Sequence, residues 1–488
     1  MRTEKDPFGS VQIPLDALYG IHSMRASRNF SSTETFSTDW YMAIGKVKLA
    51  CYHTVAMFRD TLEKMKPEVL NRLHLPSMEI IRAMETAATE VASGQHFNHF
   101  IIPPLQGGAG TSINMNINEI ISNRALQIMG RLPGSYDIID PVESANIYQS
   151  TNDVIPTSLT VAVLTILDSL EQAINDTRQS IQDLEKRYRN TLRIGYTQMQ
   201  QAVPGTYGQL FSNYSDALSR DWWRVSKASE RIKQINLGGG ATGTGVSIPR
   251  FFIMEVSNQL RKITGVPLAQ GENFSDNTSN LDSHVEVHAI LKSHAVNMDK
   301  MVNDLRLLAS DISPSPDINI PSKQTGSSIM PGKVNPVIPE FVQSASQEIY
   351  SNDNTITQLA ASGTLDLNAY LPSIGHSLVK SLKTLISINK TVKENLLNGL
   401  TVNEEVAANK LYRSPAVVTA ISPLIGYHEA GKLAKEMKQL QCNIFQANEK
   451  LRLLPGRSLD KMMEPAYLLK KGFSVQDIEE MEKEKNER

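Results

Sequence analysis

The chain has 488 residues, more than a single hydrophobic core usually holds, so we expect two or three domains or one elongated helical body. Its 49 lysines and arginines nearly balance 51 acidic residues, and the net charge of −2 gives no reason to expect nucleic acid or a membrane as a partner. Cys51 and Cys442 lie far apart in sequence, which supports neither a disulfide framework nor a cysteine metal site. With no apolar leader and no run of 18 apolar residues, we expect a cytoplasmic protein.

Apolar residues recur with helical spacing along most of the chain. Residues 1–38 are expected to form an irregular lead-in. Helices are predicted over residues 40–69, 78–93, 114–129, 159–193, 206–235, 280–309, 337–361 and 367–399. They alternate with glycine-rich or polar breaks rather than with strands, and several exceed the usual globular length. The pattern predicts a mainly all-α protein built on a central bundle of long helices.

The helical pattern shortens after about residue 398, where glycine and proline separate small helices. This change predicts a distinct C-terminal part that ends in a charged tail. We therefore expect an N-terminal domain over residues 1–140, a long-helix bundle domain over residues 141–398 and a small C-terminal domain over residues 399–488.

Residues 326–336, Gly-Ser-Ser-Ile-Met-Pro-Gly-Lys-Val-Asn-Pro, have the composition of an active-site loop. Hydroxyl, ammonium and carboxamide groups lie between glycines and prolines that set the backbone. A helix is predicted to follow with Asn335 as its cap, and its N-terminus together with Lys333 favours a carboxylate or phosphate. A Walker loop is excluded because five residues, not four, precede the glycine-lysine pair and valine follows it. A surface loop with accidental polar residues is the alternative.

Three other polar breaks are candidates for a binding site. Residues 107–112, Gly-Gly-Ala-Gly-Thr-Ser, would bring the backbone near a ligand, although Thr111 or Ser112 can also serve as a helix cap. Residues 149–153, Gln-Ser-Thr-Asn-Asp, carry more polar side chains than a cap needs, which favours a function. Residues 197–200, Thr-Gln-Met-Gln, are less specific, and an ordinary loop is the favoured interpretation.

Two residue spacings resemble known binding motifs, but their context argues against binding. Gly238, Gly240 and Gly243 fit a dinucleotide fingerprint, but no adequate strand precedes them, so a flexible loop is expected. His284 and His288 are one helical turn apart without a third ligand, which argues against a metal site. Neither a nucleophile with an adjacent histidine nor a pair of catalytic carboxylates stands out. The enriched hydroxyls, amides and lysine suggest chemistry that uses the substrate's own carboxylates.

The loop at residues 326–336 resembles the signature loop of the aspartase/fumarase superfamily at all eleven positions. Other segments resemble the remaining motifs of the family in the same order along the chain, namely residues 110–118, 149–153, 197–204 and 243–245. The resemblance therefore covers nearly the whole chain.

Three short patterns are closer to aspartases than to fumarases: Tyr-Gly-Ile-His at 19–22, Thr-Ser at 111–112 and Val-Ile-Pro-Glu at 337–340. The resemblance thus implies reversible elimination of ammonia from L-aspartate to give fumarate, a small dicarboxylate substrate, and neither a cofactor nor a metal. It also implies a homotetramer in which three subunits assemble each active site.

The resemblance further assigns roles to individual residues. It implies that Ser327 is the general base, which removes a proton beside the β-carboxylate to give an enediolate-like dianion. The implied substrate-binding residues are Thr111, Ser150, Thr151 and Asn152 as donors to that carboxylate, Lys333 and Asn335 on the other carboxylate, and Thr197 with Gln198 on the amine side. Because serine is a weak base, we expect loop amides and a nearby cation to lower its pKa.

The sequence also departs from the family pattern. Tyr196 replaces the usual arginine, Ser247 replaces the usual asparagine, and residues 310–318 replace a Gly-Pro-Arg segment. Lost polar groups near a site alter discrimination more than reaction type, so fumarate hydratase or a lyase for a substituted aspartate is the alternative. A catalytically silent structural homologue is a third possibility, and retention of the serine, lysine and asparagine of the loop argues against it.

Overall fold

The computed structural model describes residues 1–312, 315–470 and 472–486. These residues form two compact units, each built from three separate segments of the chain. Unit 1 comprises Met1–Glu171, Trp223–Ser293 and Gln347–Ile386. Unit 2 comprises Gln172–Trp222, His294–Ser346 and Ser387–Arg488. The predicted domain limits near residues 140 and 398 stay a prediction.

Helices make up most of the structure, which confirms the predicted mainly all-α fold. The first part of the chain carries α1 Ile21–Asn29, α2 Thr38–Met65, α3 Pro67–Leu70, α4 Met78–Ala92 and α5 Thr111–Ile128. The long helices follow as α6 Thr151–Arg187, α7 Tyr207–Ile232, α8 Arg250–Thr264, α9 Phe274–Ser279, α10 Asp282–Leu308, α11 Val337–Ala361 and α12 Leu371–Val392. The C-terminal part has α13 Glu404–Arg413, α14 Ser422–Ile425, α15 Tyr427–Leu440, α16 Ile444–Leu451, α17 Gly456–Met462, α18 Pro465–Leu468 and α19 Val475–Asn486.

Short strands pair two by two between the helices. They are β1 Arg2–Asp6, β2 Gly9–Ile13, β3 Leu192–Thr197, β4 Gln200–Thr206, β5 Gln234–Ile235, β6 Ala269–Gln270, β7 Ile318–Asn319 and β8 Thr401–Val402. The pairs β1–β2, β3–β4 and β7–β8 are antiparallel, whereas β5–β6 is parallel.

Two sequence-based expectations about these elements are wrong, and one helix of 15 residues was missed. Residues 1–38 are not irregular, because they contain the β1–β2 hairpin and α1. The helix predicted to reach residue 193 ends at Arg187, and the chain then enters β3. Helix α8 was not predicted at all. Local periodicity was the only guide at these places, and tertiary packing overrides it.

The core of unit 1 includes α2 packed against α4 and α8. Gly45 of α2 faces the backbone of Ala92 at the end of α4, and a β-carbon at Gly45 would collide with that backbone. Because the two helices approach this closely, only glycine fits at the contact. The packing also brings α2 against the polar segment at residues 149–153, where the Lys48 ammonium of α2 donates to Gln149 Oε1 at 2.8 Å.

The core of unit 2 includes the β3–β4 hairpin, which packs against α13 and the 3₁₀ turn Pro415–Ala420. Leu192 and Ile194 of β3 join a buried apolar cluster formed mainly by the short C-terminal helices. Burial of these two side chains fixes the base of the hairpin, so its tip is presented from a packed support.

One helix in the described part of the chain, α6, is long and apolar enough to cross a membrane by composition. In its most apolar 18-residue window, 78% of the residues are buried inside the protein, as in a core helix.

Candidate active site

The loop at residues 326–336 is closed by its own backbone. The Gly326 N–H donates to the carbonyl of Lys333 at 2.7 Å. The side-chain amide of Asn335 donates to the carbonyl of Gly326 at 2.9 Å. A β-carbon at Gly326 would lie 2.9 Å from the Lys333 carbonyl oxygen, so the closure requires glycine.

The hydroxyl of Ser327 is bound by the backbone of the same loop. Its Oγ accepts the Ile329 N–H at 3.1 Å and the Met330 N–H at 2.9 Å. Donors directed at an oxygen stabilise its ionised form, so this arrangement favours a serine that must lose its proton. The loop thus supplies the backbone amides that the sequence leads us to expect.

Asn335 does not cap the following helix, contrary to the sequence-based expectation. Helix α11 begins at Val337, whose N–H is bonded to the backbone carbonyl of Asn335 at 2.9 Å. The side chain of Asn335 instead closes the loop through Gly326. Lys333 is exposed, so its ammonium is available at the surface of the loop.

Thr111 is the first residue of α5 and is exposed. The residue before it, Gly110, has φ 91 and provides no side-chain cap, so the capping alternative for Thr111 and Ser112 is not observed. A β-carbon at Gly110 would lie 3.0 Å from Ile155 of α6, which shows how closely the two helix starts approach.

Residues 149–153 span the N-terminus of α6, which begins at Thr151, and two of their side chains cap it. The Ser150 Oγ accepts the Asn152 N–H at 3.2 Å, and Asp153 Oδ1 accepts the Ser150 N–H at 3.0 Å. The Ser150 side chain thus caps the N–H of the second helical residue, and the Asp153 side chain accepts the N–H of Ser150 itself. The hydroxyl of Thr151 accepts from the Asn114 side chain of α5 at 3.2 Å.

Asn152 forms hydrogen bonds to the segment between α7 and α8. Its side-chain amide donates to the carbonyl of Ala241 at 2.8 Å, and its own carbonyl accepts from the Asn236 side chain at 2.9 Å. That carbonyl is available because Pro156, four residues later in α6, has no N–H to donate to it. The proline thus allows a second tether on Asn152.

Two buried charged residues support this segment, and the sequence analysis missed both. Lys48 of α2 is fully buried, and burial lowers its pKa to about 7. Burial likewise raises the pKa of Asp153 to about 7, against backbone hydrogen bonds from Ser150 and Gly240. The available signal was a lysine at a helical position whose neighbours, such as Val47 and Cys51, are apolar.

Thr197 and Gln198 lie at the tip of the β3–β4 hairpin rather than in an ordinary loop. Gln198 and Met199 form the two-residue turn with φ 52 and φ 61, a left-handed pair typical of a type I′ hairpin. Neither residue is one that this turn prefers, which explains why the sequence did not reveal it. Thr197 and Gln198 are exposed, as is Tyr196.

The structure brings the predicted residues together in two groups. Thr111, Ser150, Thr151 and Asn152 belong to unit 1, whereas Thr197, Gln198, Ser327, Lys333 and Asn335 belong to unit 2. Within unit 2, Met199 at the hairpin tip lines one cavity of about 930 Å³ with Lys333 and Asn335. These groupings leave the assignment of the site residues a prediction.

The residues that were set aside have structural partners in unit 1. The Gly240 N–H donates to Asp153 Oδ2 at 3.1 Å, so the glycine segment is held by the first turn of α6. His288 Nδ1 lies 3.0 Å from Asp353 Oδ1, and its Nε2 lies 2.9 Å from Ser381 Oγ. In the described residues, no group of three or more histidine, cysteine, aspartate or glutamate side chains is arranged for a metal ion.

The departures from the family pattern also have defined places. Tyr196 lines a cavity of about 570 Å³ with Ser310, Ile312 and Asp317. Ser247 has φ 66, a left-handed conformation that asparagine adopts more readily than serine. Residues 313 and 314 of the 310–318 segment lie outside the described residues.

Comparison with known proteins gives consistent matches along the chain. A family model described as a lyase matches residues 9–351. An aspartate ammonia-lyase from a Bacillus species is 35% identical over 476 residues, which cover 97% of this chain and 98% of that protein. The aspartate ammonia-lyase of Escherichia coli (strain K12) is 34% identical over 481 residues, which cover 96% of this chain and 98% of that protein.

Solved structures with the same fold include two lyase-type proteins. One, described as fumarate lyase:delta crystallin from Brucella melitensis bound to cobalt, has a TM-score of 0.87 and 32% identity, with 95% of this chain and 98% of that chain covered. The class II fumarase of Schistosoma mansoni has a TM-score of 0.85 and 26% identity, with 95% of this chain and 98% of that chain covered.

Proposed function

Because the chain belongs to the aspartase/fumarase superfamily of lyases, we propose that it catalyses the reversible elimination of ammonia from L-aspartate to give fumarate. The observation that carries the proposal is the Ser327 hydroxyl, which accepts two backbone N–H groups inside a closed loop. Aspartate is favoured over malate because the relatives that match at 34–35% identity are named aspartate ammonia-lyase.

Ser327 acts as the general base in this proposal. As an alkoxide, its Oγ takes a proton from the carbon beside the β-carboxylate, and the electron pair of the broken C–H bond moves into that carboxylate. An enediolate-like dianion results. The pair then returns to form the carbon–carbon double bond, the C–N bond breaks, and the protonated amino group leaves as neutral ammonia. The Ile329 and Met330 amides make the alkoxide accessible by stabilising its charge.

The second charge on the β-carboxylate needs hydrogen-bond donors, because a C–H bond beside a carboxylate is barely acidic. We assign this role to Thr111, Ser150, Thr151 and Asn152. Each such donor contributes about 3 kcal/mol in comparable oxyanion sites. The bonds with Asp153 and Asn152 hold Ser150, the Asn114 contact holds Thr151, and the Ala241 contact holds Asn152, which supports their use as preorganised donors.

The remaining residues would orient the substrate. Lys333, exposed on the loop, and Asn335 hold the other carboxylate. Thr197 and Gln198, presented at the tip of a packed hairpin, line the amine side. Because one amide hydrogen of Asn335 bonds to Gly326, its carboxamide has a fixed orientation before substrate arrives.

The proposed enzyme is a homotetramer in which each chain has three domains, at residues 1–140, 141–398 and 399–488. The family resemblance, which implies that three subunits assemble each active site, supports this assembly. A cytoplasmic location is part of the same proposal.

Purified protein supplied with L-aspartate should produce fumarate, followed by its ultraviolet absorbance. Malate serves as the comparison substrate, since a fumarate hydratase would use malate instead. A signal from malate alone would reject the ammonia-lyase assignment, and silence with both substrates would point to the substituted-aspartate or silent alternatives.

Replacement of the base gives the sharpest test of the mechanism. Ser327→Ala should lower kcat about 10³-fold or more, since general bases contribute roughly 10² to 10⁴ and the serine is the only base assigned. The mass of the assembly, measured by light scattering, should not change. A variant that kept near-normal turnover would show that another group removes the proton.

A lyase for a substituted aspartate is the second candidate, and one cavity favours it. The cavity of about 570 Å³ beside the hairpin has an apolar part formed by residues such as Tyr196, Met199 and Leu307, and its remaining lining includes the charged residues Arg193, Lys300, Asp304, Asp317 and Lys410. An alkyl group on the amine of aspartate would contact the apolar part of this lining. An N-alkylated aspartate assayed beside aspartate decides between the two, because this candidate requires the higher kcat/KM for the alkylated substrate.

A further inference from the structure

Lys48 is enclosed in unit 1 beneath residues 149–153. Its side chain is fully buried, and its Nζ donates to three amide oxygens: Asn118 Oδ1 at 2.6 Å, Gln149 Oε1 at 2.8 Å and Asn146 Oδ1 at 3.2 Å. An ammonium group has three N–H bonds, so this set uses all of them. Lys48 therefore joins α2, α5 and the segment before α6 at a single point.

The contacts of Lys48 lead directly to the proposed carboxylate donors. Gln149 immediately precedes Ser150 in the chain. Asn146 Oδ1 also accepts from Asn114 at 3.0 Å, and the same Asn114 amide donates to the Thr151 hydroxyl. A displacement of the ammonium would consequently move both ends of the Ser150–Thr151 pair.

Asp153 supports the segment from the other side. This fully buried carboxylate accepts N–H groups from Ser150 and Gly240, and it interacts electrostatically with Lys48. The only other titratable group that acts on Lys48 among the described residues is Cys51, whose pKa burial raises far above neutrality, so it stays an uncharged thiol.

Core stability alone does not account for a buried lysine that is bonded to amides. Burial of an ammonium costs several kcal/mol, and apolar side chains of similar volume are often as stabilising as a buried ion pair. The three acceptors are neutral amides, so none of them compensates the charge fully. What the lysine provides is convergence of three segments on one donor group.

We propose that Lys48 is a positioning residue for the active site, and that with Asp153 it holds Ser150, Thr151 and Asn152 where they bind the substrate's carboxylate. This inference rests on the proposed function, in which those three residues are donors. Lys48 itself does not contact the substrate.

The test compares Lys48→Met with Lys46→Met on the same helix. Methionine keeps the length of the side chain without its charge, and Lys46 is half-buried two residues away. Lys48→Met should lower kcat for aspartate about 100-fold with a smaller change in KM, because a shift of about 1 Å in a preorganised group costs that much. Lys46→Met should match the wild type. A Lys48→Met variant within twofold of the wild-type kcat overturns the proposal.

Two readouts separate positioning from a general structural role. The pH profile of kcat should change near neutrality in Lys48→Met, because Lys48 and Asp153 interact and both have pKa values of about 7. Lys48→Arg should not restore activity, because a planar guanidinium cannot direct its donors at three oxygens around one point. A lower kcat with the wild-type pH profile, or rescue by arginine, would overturn the proposal.

Gln149→Met is the second variant if Lys48→Met does not fold, as judged by circular dichroism. Gln149 is half-buried, and this replacement removes one of the three acceptors of the Lys48 ammonium. It should lower kcat about tenfold, and an unchanged kcat would overturn the proposal. If the wild type turns over no substrate, the proposed function fails separately. Calorimetric binding of succinate then replaces kcat: weaker binding by Lys48→Met than by Lys46→Met supports the positioning role, and equal binding overturns it.

Discussion

Gly326 determines whether the base loop can close. Its N–H and carbonyl both take part in the closure, through the carbonyl of Lys333 and the side chain of Asn335. The closure in turn places the Ser327 hydroxyl against the amides that follow it. The sequence revealed the composition of the loop, but the contact between Gly326 and Asn335 spans nine residues and is a property of the folded loop.

Gly326→Ala should lower kcat about tenfold or more, because the added β-carbon would lie 2.9 Å from the Lys333 carbonyl oxygen and open the loop. Thermal stability should change little, since the loop lies at the surface. Gly431→Ala is the matched control, because it lies in α15 with open space around the added carbon. Wild-type kinetics for Gly326→Ala would mean that loop closure does not position the base.

Helix α5 connects several parts of unit 1 through polar side chains. Asn114 and Asn118 reach the segment around Asn146, whereas Arg124 near the other end binds Glu90 of α4. Its buried faces therefore carry polar side chains with assigned partners, which is why its apolar periodicity is weaker than that of a simple core helix. The sequence predicted the helix over residues 114–129, and the structure begins it three residues earlier, at Thr111.

The Glu90–Arg124 ion pair should make the free energy of unfolding depend on pH. Arg124 binds the carboxylate through two nitrogens, at 2.6 and 2.9 Å, and this contact lowers the pKa of Glu90. A carboxylate with a lowered pKa stabilises the folded state above its ordinary pKa, and the contribution is lost as pH falls through the lowered value.

Glu90→Gln should therefore destabilise the protein by about 1 kcal/mol at neutral pH and by less under acid conditions, measured as the midpoint of thermal unfolding. Glu63→Gln, at an exposed position of α2, should have no such effect. A Glu90→Gln midpoint shift that is the same at acid and neutral pH would contradict the role assigned to this pair.

Each long helix of the bundle, α6, α7, α10, α11 and α12, contributes residues to both compact units. The proposed donors at the start of α6 fall in unit 1, and the hairpin and base loop fall in unit 2. A tetramer with closed symmetry could supply each site with segments from several copies, as the family resemblance implies.

Mixed assemblies test this arrangement directly. Ser327→Ala and Ser150→Ala should each be nearly inactive alone, but subunits mixed by co-expression should recover roughly a quarter of wild-type activity, because each segment of a shared site is intact in half of the copies. Light scattering should give a tetramer for every sample. Mixtures that remain as inactive as the parents would show that one chain supplies both serines to the same site.

The sequence by itself determined the class of fold and the motif residues. Helical periodicity is local, so most long helices could be predicted from it, and the loop at 326–336 is a contiguous motif. The tertiary structure decided what depends on distant contacts. Lys48 has its hydrogen-bond acceptors 70 to 101 residues away in the sequence. The turn at Gln198 and Met199 takes a left-handed conformation that glutamine and methionine do not predict. A buried charge or a strained turn is stable only when its surroundings supply partners, and a single sequence does not pair residues across the fold.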